Sequence, residues 1–309
     1  ERRHTFKKES QTAEISEDTS GDTSYKEKRQ MTMFSWLLST RMLVLLVLCL
    51  QNSMFTLLRR YSQGVLKEIY STHEVLLVGE FIKVVFATCV LARGLPQDES
   101  LLSRLFYLTR KSRKMFILAL IYGAMNILSY ISLQNIGAGM FTIFAQCKIM
   151  TTALFSSIIL QRRYSWVRWR ALASLMFGVL LFTEPIWSDH NKTRILDGGN
   201  AMLGIGAVLT EVSLSGFASI YFEKVIKTDP EQLGIWERNF QLALCSMPVY
   251  VMFIIGNGGS AAGFAGGWSP LAWILAVLGA AGGLLVALSI KYGDSILKTL
   301  ATTGAIILS

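Results

Sequence analysis

Hydrophobic and polar positions follow two different patterns along this chain. Residues 1–35 (ERRHTFKKES onward) mix charges and hydroxyls with no apolar period. Such a composition predicts a disordered tail. The tail has no short apolar core followed by a small-residue cleavage site, so it is not read as a signal peptide, and the first membrane segment is expected to act as the insertion signal. From residue 36 onward, apolar residues come in blocks of about twenty, the length a helix needs to cross bilayer hydrocarbon. Nine blocks are read, at 36–58, 75–92, 115–134, 137–160, 167–187, 200–222, 236–255, 270–289 and 292–309. Only a tight turn, Gln134-Asn135-Ile136-Gly137, separates the third from the fourth. The pattern predicts an all-α polytopic membrane domain over 36–309, with a first half at about 36–187 and a second at about 200–309.

Composition narrows the class. The chain has 309 residues, of which 52% are hydrophobic and 17% charged, with mean hydropathy +0.43. Soluble domains carry about 25% charged residues, so an ordinary soluble enzyme is disfavoured. The four cysteines, Cys49, Cys89, Cys147 and Cys245, each sit in an apolar block and read as small buried hydrophobes. No Cys-x-x-Cys or paired-histidine spacing occurs, and His4, His73 and His190 stand alone, so no metal or other cofactor is expected. The glycine-rich stretch 256–269 has no Lys-Ser/Thr after it, which makes it a flexible connection rather than a phosphate loop.

The net charge of +9 matters through its location, in the tail and loops, and gives no reason to expect a nucleic-acid partner. With the tail placed in the cytosol, the cytosolic loops hold Arg93, Arg104, Arg110, Lys111, Arg113 and Lys114, then Arg162, Arg163 and Arg168, then Lys224 and Lys227. The opposite side holds only Arg59, Arg60, Lys67, Lys192 and Arg194. This bias favours a cytosolic N-terminus. It also puts the sequon Asn191-Lys192-Thr193 on the lumenal side, with Asn191 as a glycosylation candidate.

Charges inside spans are expensive and mark function by default. Lys148 lies near the middle of its span, too deep for its stem to reach the interface easily, and reads as a cavity-facing cation, with a structural ion pair as the alternative. Lys83 follows Glu80 by three residues and Lys298 follows Asp294 by four, so each has a local ion pair open to it as an alternative to a cavity role. Arg238, beside Glu237 at a span start, is expected at the interface, and Glu211 in the sixth block has no assigned role. Three embedded lysines with fewer acids imply a positive cavity suited to an anionic substrate. Two strings repeat five blocks apart: Lys148 is followed by Thr151 and Thr152, and Lys298 by Thr302 and Thr303. A five-span repeat is inverted in the membrane, the architecture of transporters with a midplane site. It predicts ten spans, the tenth lying outside this chain. Tyr122 with Asn126, together with Ser215, Asn239 and Gln241, could read a base or sugar, or could bond helix to helix.

Several strings carry a resemblance: LQNSMFTLLRRYS (50–62), IYGAMN (121–126), AQCKIMTTALFS (145–156), LSGFASIYFEK (214–224), WERNFQL (236–242) and IKYGDSILKTLATT (290–303). Over about 40–309 the chain resembles the Golgi nucleotide-sugar transporters of the CMP-sialic acid, UDP-galactose and UDP-N-acetylglucosamine branch. The resemblance implies the drug/metabolite transporter fold, two inverted five-helix halves, and exchange of a cytosolic nucleotide sugar for a lumenal nucleoside monophosphate without ATP. It implies a Golgi membrane, with the endoplasmic reticulum as alternative, and leaves open a homodimer or glycosyltransferase association.

Residue by residue, the resemblance implies phosphate-side lysines at Lys148 and Lys298 and a sugar-side lysine at Lys83. Tyr122 and Asn126 match positions beside the substrate, and Ser215 and Asn239 match nucleobase-side positions. The chain departs from the family pattern at Met125, where a glutamine is usual, and at Phe141 and Ala145, where tyrosines are usual. Ala243 and Cys245 stand where sialic acid-type members carry tyrosine and serine. Ala243 points to a UDP-sugar, with a CMP-sialic acid-type carrier as alternative. A membrane-embedded enzyme would call for paired acids or a metal motif, which the sequence lacks. A non-transporting scaffold for glycosyltransferases would not need the embedded lysines.

Overall fold

The computed structural model describes residues 39–66, 68, 70–95, 99–182, 200–228, 230–231, 233–256 and 263–308. The tail and Asn191 lie outside the described residues. The chain divides into two compact units, Glu1–Val44 and Leu45–Ser309. In the first, the described part is the opening of α1; the second carries the architecture below.

The regular elements among the described residues are helices: α1 (Thr40–Arg60), a π-helical turn (Tyr61–Val65), α2 (Thr72–Gly94), α3 (Leu101–Arg110), α4 (Arg113–Asn135), α5 (Ala138–Ala145), α6 (Lys148–Ile159), α7 (Trp166–Phe182), α8 (Ala201–Thr228), α9 (Ile235–Gly256), α10 (Pro270–Tyr292) and α11 (Ser295–Leu308). Among the described residues, α1, α2, α4, the stretch Gly139–Ile159, α8, α9 and α10 are long and apolar enough to cross a membrane. The described parts of α7 and α11 fall in the fifth and ninth predicted blocks. The polarity is that of a bilayer protein. Phe81, Leu120, Ile158 and Ile255 are exposed, whereas Glu74, Glu80, Glu223, Arg238 and Gln241 are buried. Hydrocarbon solvates the former and cannot hydrogen-bond the latter.

Two features depart from the sequence reading. The loop between the second and third spans contains a helix, α3. Its Leu108 is fully buried while Leu102 and Phe106 project outward, the habit of a helix lying in the interfacial plane. The fourth span is broken: α5 ends at Ala145 and α6 begins at Lys148, and Gln146 and Cys147 between them bond back three residues, to Ile143 and Phe144. The hydroxyls of Thr151 and Thr152 both donate to the Lys148 carbonyl, at 3.2 and 2.7 Å. Such back-bonding weakens the regular helix ladder and bends it.

Helix α8 is the central strut. It packs against α4, α5 and α6, while α9 packs on α2 and α4, α10 on α2, and α11 on α6 and α10. Small residues set the closeness of these crossings, as expected where lipid supplies no hydrophobic push between helices. At Gly204, a Cβ would lie 2.7 Å from Ile136 Cγ2, and the Ser132 hydroxyl donates to the Gly204 carbonyl at 2.9 Å. At Gly216, a Cβ would lie 2.9 Å from Thr151 Oγ1 and 3.0 Å from backbone atoms of residues 151 and 152. There Thr151 also donates to the Val212 carbonyl at 3.2 Å.

Gly216→Ala should therefore force α8 away from α6 and cost about 1–3 kcal/mol as an overpacked contact, read as a lower melting temperature in detergent. Gly206→Ala, on the same helix with nothing within 4 Å, should leave the melting temperature unchanged or slightly raised.

Candidate functional site

The break before α6 puts Lys148 at the start of a helix that packs on α11, and Lys298 stands one turn into α11. Both side chains are half-buried, and their ammonium groups lie close enough to repel one another. Lys298 does not pair with Asp294. Its ammonium donates to Ser219 Oγ on α8 at 3.0 Å. Asp294 instead caps α11, its Oδ1 accepting from the Leu297 amide at 2.8 Å. Lys148 is attracted by Glu211, also on α8, whose carboxylate interacts in turn with Ser129 on α4. Ser215, one turn from both Glu211 and Ser219, is buried on the same helix. Of the threonines after each lysine, Thr151 also reaches the Val212 carbonyl of α8, while Thr152 and Thr302 donate within their own helices, to the Lys148 and Thr299 carbonyls.

A second polar group lies between α2, α4 and α9. The Lys83 ammonium is 2.7 Å from Glu80 Oε1, with both side chains little exposed, so the local pair forms. Lys83 rests on α10 where Gly283 leaves room; a Cβ there would lie 3.0 Å from its ammonium. A small cavity bounded by Phe55, Gly79, Ala276 and Gly279 opens on this pair. The Tyr122 and Tyr250 hydroxyls lie within electrostatic reach of Glu80, and Tyr250 interacts with the Asn126 side chain. Tyr250, Ser219 and Ser129 escaped the sequence reading. Their only signal there was helical spacing from residues already singled out.

Other predicted positions have local partners. Asn239 Nδ2 donates to the Ile235 carbonyl of its own helix at 3.0 Å. Ala243 is buried. Cys245 packs against the apolar cluster of Met115, Leu118 and Ala218, with its thiol against Ser112. Phe141 packs with Ile136, Val208 and Val212.

The end of the bundle carrying α3 is laced by ion pairs. Arg104 reaches Glu237 at 2.6 Å, Lys111 reaches Glu231 at 3.1 Å, and Arg162 and Lys227 converge on Glu223 at 2.6 and 2.9 Å. The Glu237 hydrogen bond holds the Arg104 pKa above its ordinary value. Glu223 is fully buried, and its second oxygen accepts from the Ser295 amide at 2.9 Å, while Lys227 also donates to the Gly293 carbonyl at 2.6 Å. One carboxylate thus ties together the turn after α6, the end of α8 and the turn into α11. Arg238, expected at the membrane interface, is covered by protein. It is fully buried, donating to Gln241 at 3.0 Å, and Gln241 donates to the Leu108 carbonyl of α3 at 2.9 Å. The adjacent Glu237 reaches Arg104.

Residues 38–309 match the family model of the nucleotide-sugar transporters. The chain belongs to this family. It is similar to a UDP-N-acetylglucosamine transporter of Bos taurus, 34% identical over 85% of this chain and 83% of the relative. A UDP-galactose/UDP-N-acetylglucosamine transporter of Caenorhabditis elegans is 36% identical over 86% of this chain and 73% of the relative. A UDP-galactose translocator of Bos taurus is 32% identical over 86% and 68%. As a nucleotide-sugar transporter, the protein is a carrier and not an enzyme, and the lysines in its spans belong to a molecule whose task is to move an anionic solute.

Glu223→Gln should loosen the ion-paired end of this nucleotide-sugar transporter. Removing one partner of a fully buried pair costs ~3–5 kcal/mol, and the partial exposure of Arg162 and Lys227 reduces this to about 2–4 kcal/mol. A lower melting temperature and faster proteolysis of the 159–166 turn would register it.

Proposed function

We propose that the protein exchanges a cytosolic UDP-sugar for a lumenal nucleoside monophosphate across a Golgi membrane, with its N-terminus in the cytosol. The observation that carries this reading is the placing of Lys148 and Lys298 on helices that pack on each other and on α8, within electrostatic reach of one another inside the membrane domain. Two cations held together in a low-dielectric interior are costly unless an anion joins them. A phosphate group supplies that charge and accepts charge-assisted hydrogen bonds from both. The phosphate is the part shared by a nucleotide sugar and a nucleoside monophosphate, so one site can serve both directions of exchange.

The names of the relatives, UDP-N-acetylglucosamine and UDP-galactose transporters, favour UDP over CMP, in line with the small Ala243. In this reading the Glu80–Lys83 pair with Tyr122, Asn126 and Tyr250 faces the sugar, Ser215 and Asn239 lie on the nucleobase side, and Phe141 and Cys245 line the site. The ion-paired end is the cytosolic one, held shut by Glu223. The positive loops on that side support this orientation.

In proteoliposomes loaded with UMP, uptake of a UDP-sugar should be strong for the wild type and fall at least about a hundredfold for Lys148→Ala, with expression and melting temperature retained. Exchange at the wild-type rate in that variant would overturn the phosphate assignment. A melting-temperature screen with UMP, CMP, GMP and AMP tests the base. At a hundredfold excess over Kd a ligand stabilises the folded state by about 2.7 kcal/mol. A shift with UMP and its sugar conjugates is expected, and a shift with CMP alone would move the assignment to a CMP-sugar.

A further inference from the structure

Glu211 is a carboxylate inside a candidate membrane span, and the reading above leaves it without a task. A charge at that depth persists only when paired or facing water. Glu211 is half-buried. Its Oε2 is buried with no hydrogen-bond partner among the described residues. The carboxylate interacts with Ser129 and attracts Lys148. The helices that carry the two are held close together. Thr151 bridges the Lys148 and Val212 carbonyls at 3.2 Å each, and Gly216 one turn further on brings α8 into backbone contact with residues 151 and 152. Lys298 has a neutral partner, Ser219 Oγ, so among the described residues Lys148 is the one of the two lysines within electrostatic reach of a carboxylate.

We propose that Glu211 is a built-in counter-ion that competes with the substrate's phosphate for Lys148. With the site empty, the carboxylate balances the Lys148 ammonium and leaves one net positive charge, that of Lys298. An incoming phosphate takes Lys148 over and displaces the carboxylate toward Ser129. On release the carboxylate returns. Glu211 therefore weakens binding of any phosphate-bearing ligand and speeds its departure. It also lowers the electrostatic cost of the empty carrier. This rests on the phosphate reading above. It adds a residue that sets affinity and turnover without itself binding substrate.

The test compares UMP with uridine, which shares the base and ribose and lacks the phosphate, in competition with labelled UMP on purified, folded protein. Glu211→Gln, with the same shape, and Glu211→Ala, which is smaller and cannot clash, are measured beside the wild type. Either variant should bind UMP about tenfold or more tightly, equivalent to ~1.4 kcal/mol. Uridine competition should be unchanged, and the maximal rate of UMP exchange in proteoliposomes should fall. A merely structural role would move UMP and uridine together. Wild-type affinity for UMP in the folded variants, weaker UMP binding, or an equal gain for uridine would overturn the proposal while leaving the phosphate site standing. No UMP binding to folded wild-type protein would overturn the phosphate site, and the counter-ion with it.

Discussion

Two like charges held near each other where water is scarce are the constraint around which this bundle is arranged. Lys148 and Lys298 repel, and hydrocarbon would make that repulsion prohibitive if either faced lipid. The fold turns them inward, onto α8, and gives each a different form of relief. Lys298 donates to a serine hydroxyl, and Lys148 is drawn to a carboxylate. The remaining positive potential is what an anionic cargo would complete.

Close helix crossings make this arrangement hold. Gly204 and Gly216 let α8 approach α4 and α6 so nearly that a single added methyl would collide. In water, such contacts are driven by burial of apolar area. In a bilayer the driving force is contact itself, together with hydrogen bonds such as Ser132 to Gly204 and Thr151 to Val212. The interruption before α6 is a tighter turn at Gln146 and Cys147, followed by threonine hydroxyls that take up the Lys148 carbonyl.

Charge is handled differently at the rim. Where α3 lies, arginines and lysines meet carboxylates in partly solvated pairs, and Glu223 collects Arg162, Lys227 and the Ser295 amide. Contacts of this kind hold the elements of that end together, the cations staying partly exposed while Glu223 is fully buried. The interior Glu80–Lys83 pair lacks that easy exchange with water.

Much of this was legible in one dimension. Blocks of about twenty apolar residues dictate membrane helices whatever their neighbours, because backbone polar groups in lipid have no partner outside their own helix. Among the described residues the nine blocks fall on helices to within a few residues at most edges, the fourth across both α5 and α6, and the turn at 134–137 falls where α4 ends at Asn135. Lys83, Lys148 and Lys298 were visible because a charge in an apolar run is conspicuous against its surroundings. Partnership was not legible. Spacing alone offered Lys298 to Asp294, and in the structure Lys298 goes to Ser219 across helices, just as Glu237 reaches the sequence-distant Arg104 on α3. Glu211 and Lys148 are distant in sequence, and only the crossing of α6 over α8 at Gly216 brings them together. Hydropathy acts residue by residue and can be read from the chain, whereas electrostatic pairing falls off with distance in space, which only the packed bundle defines.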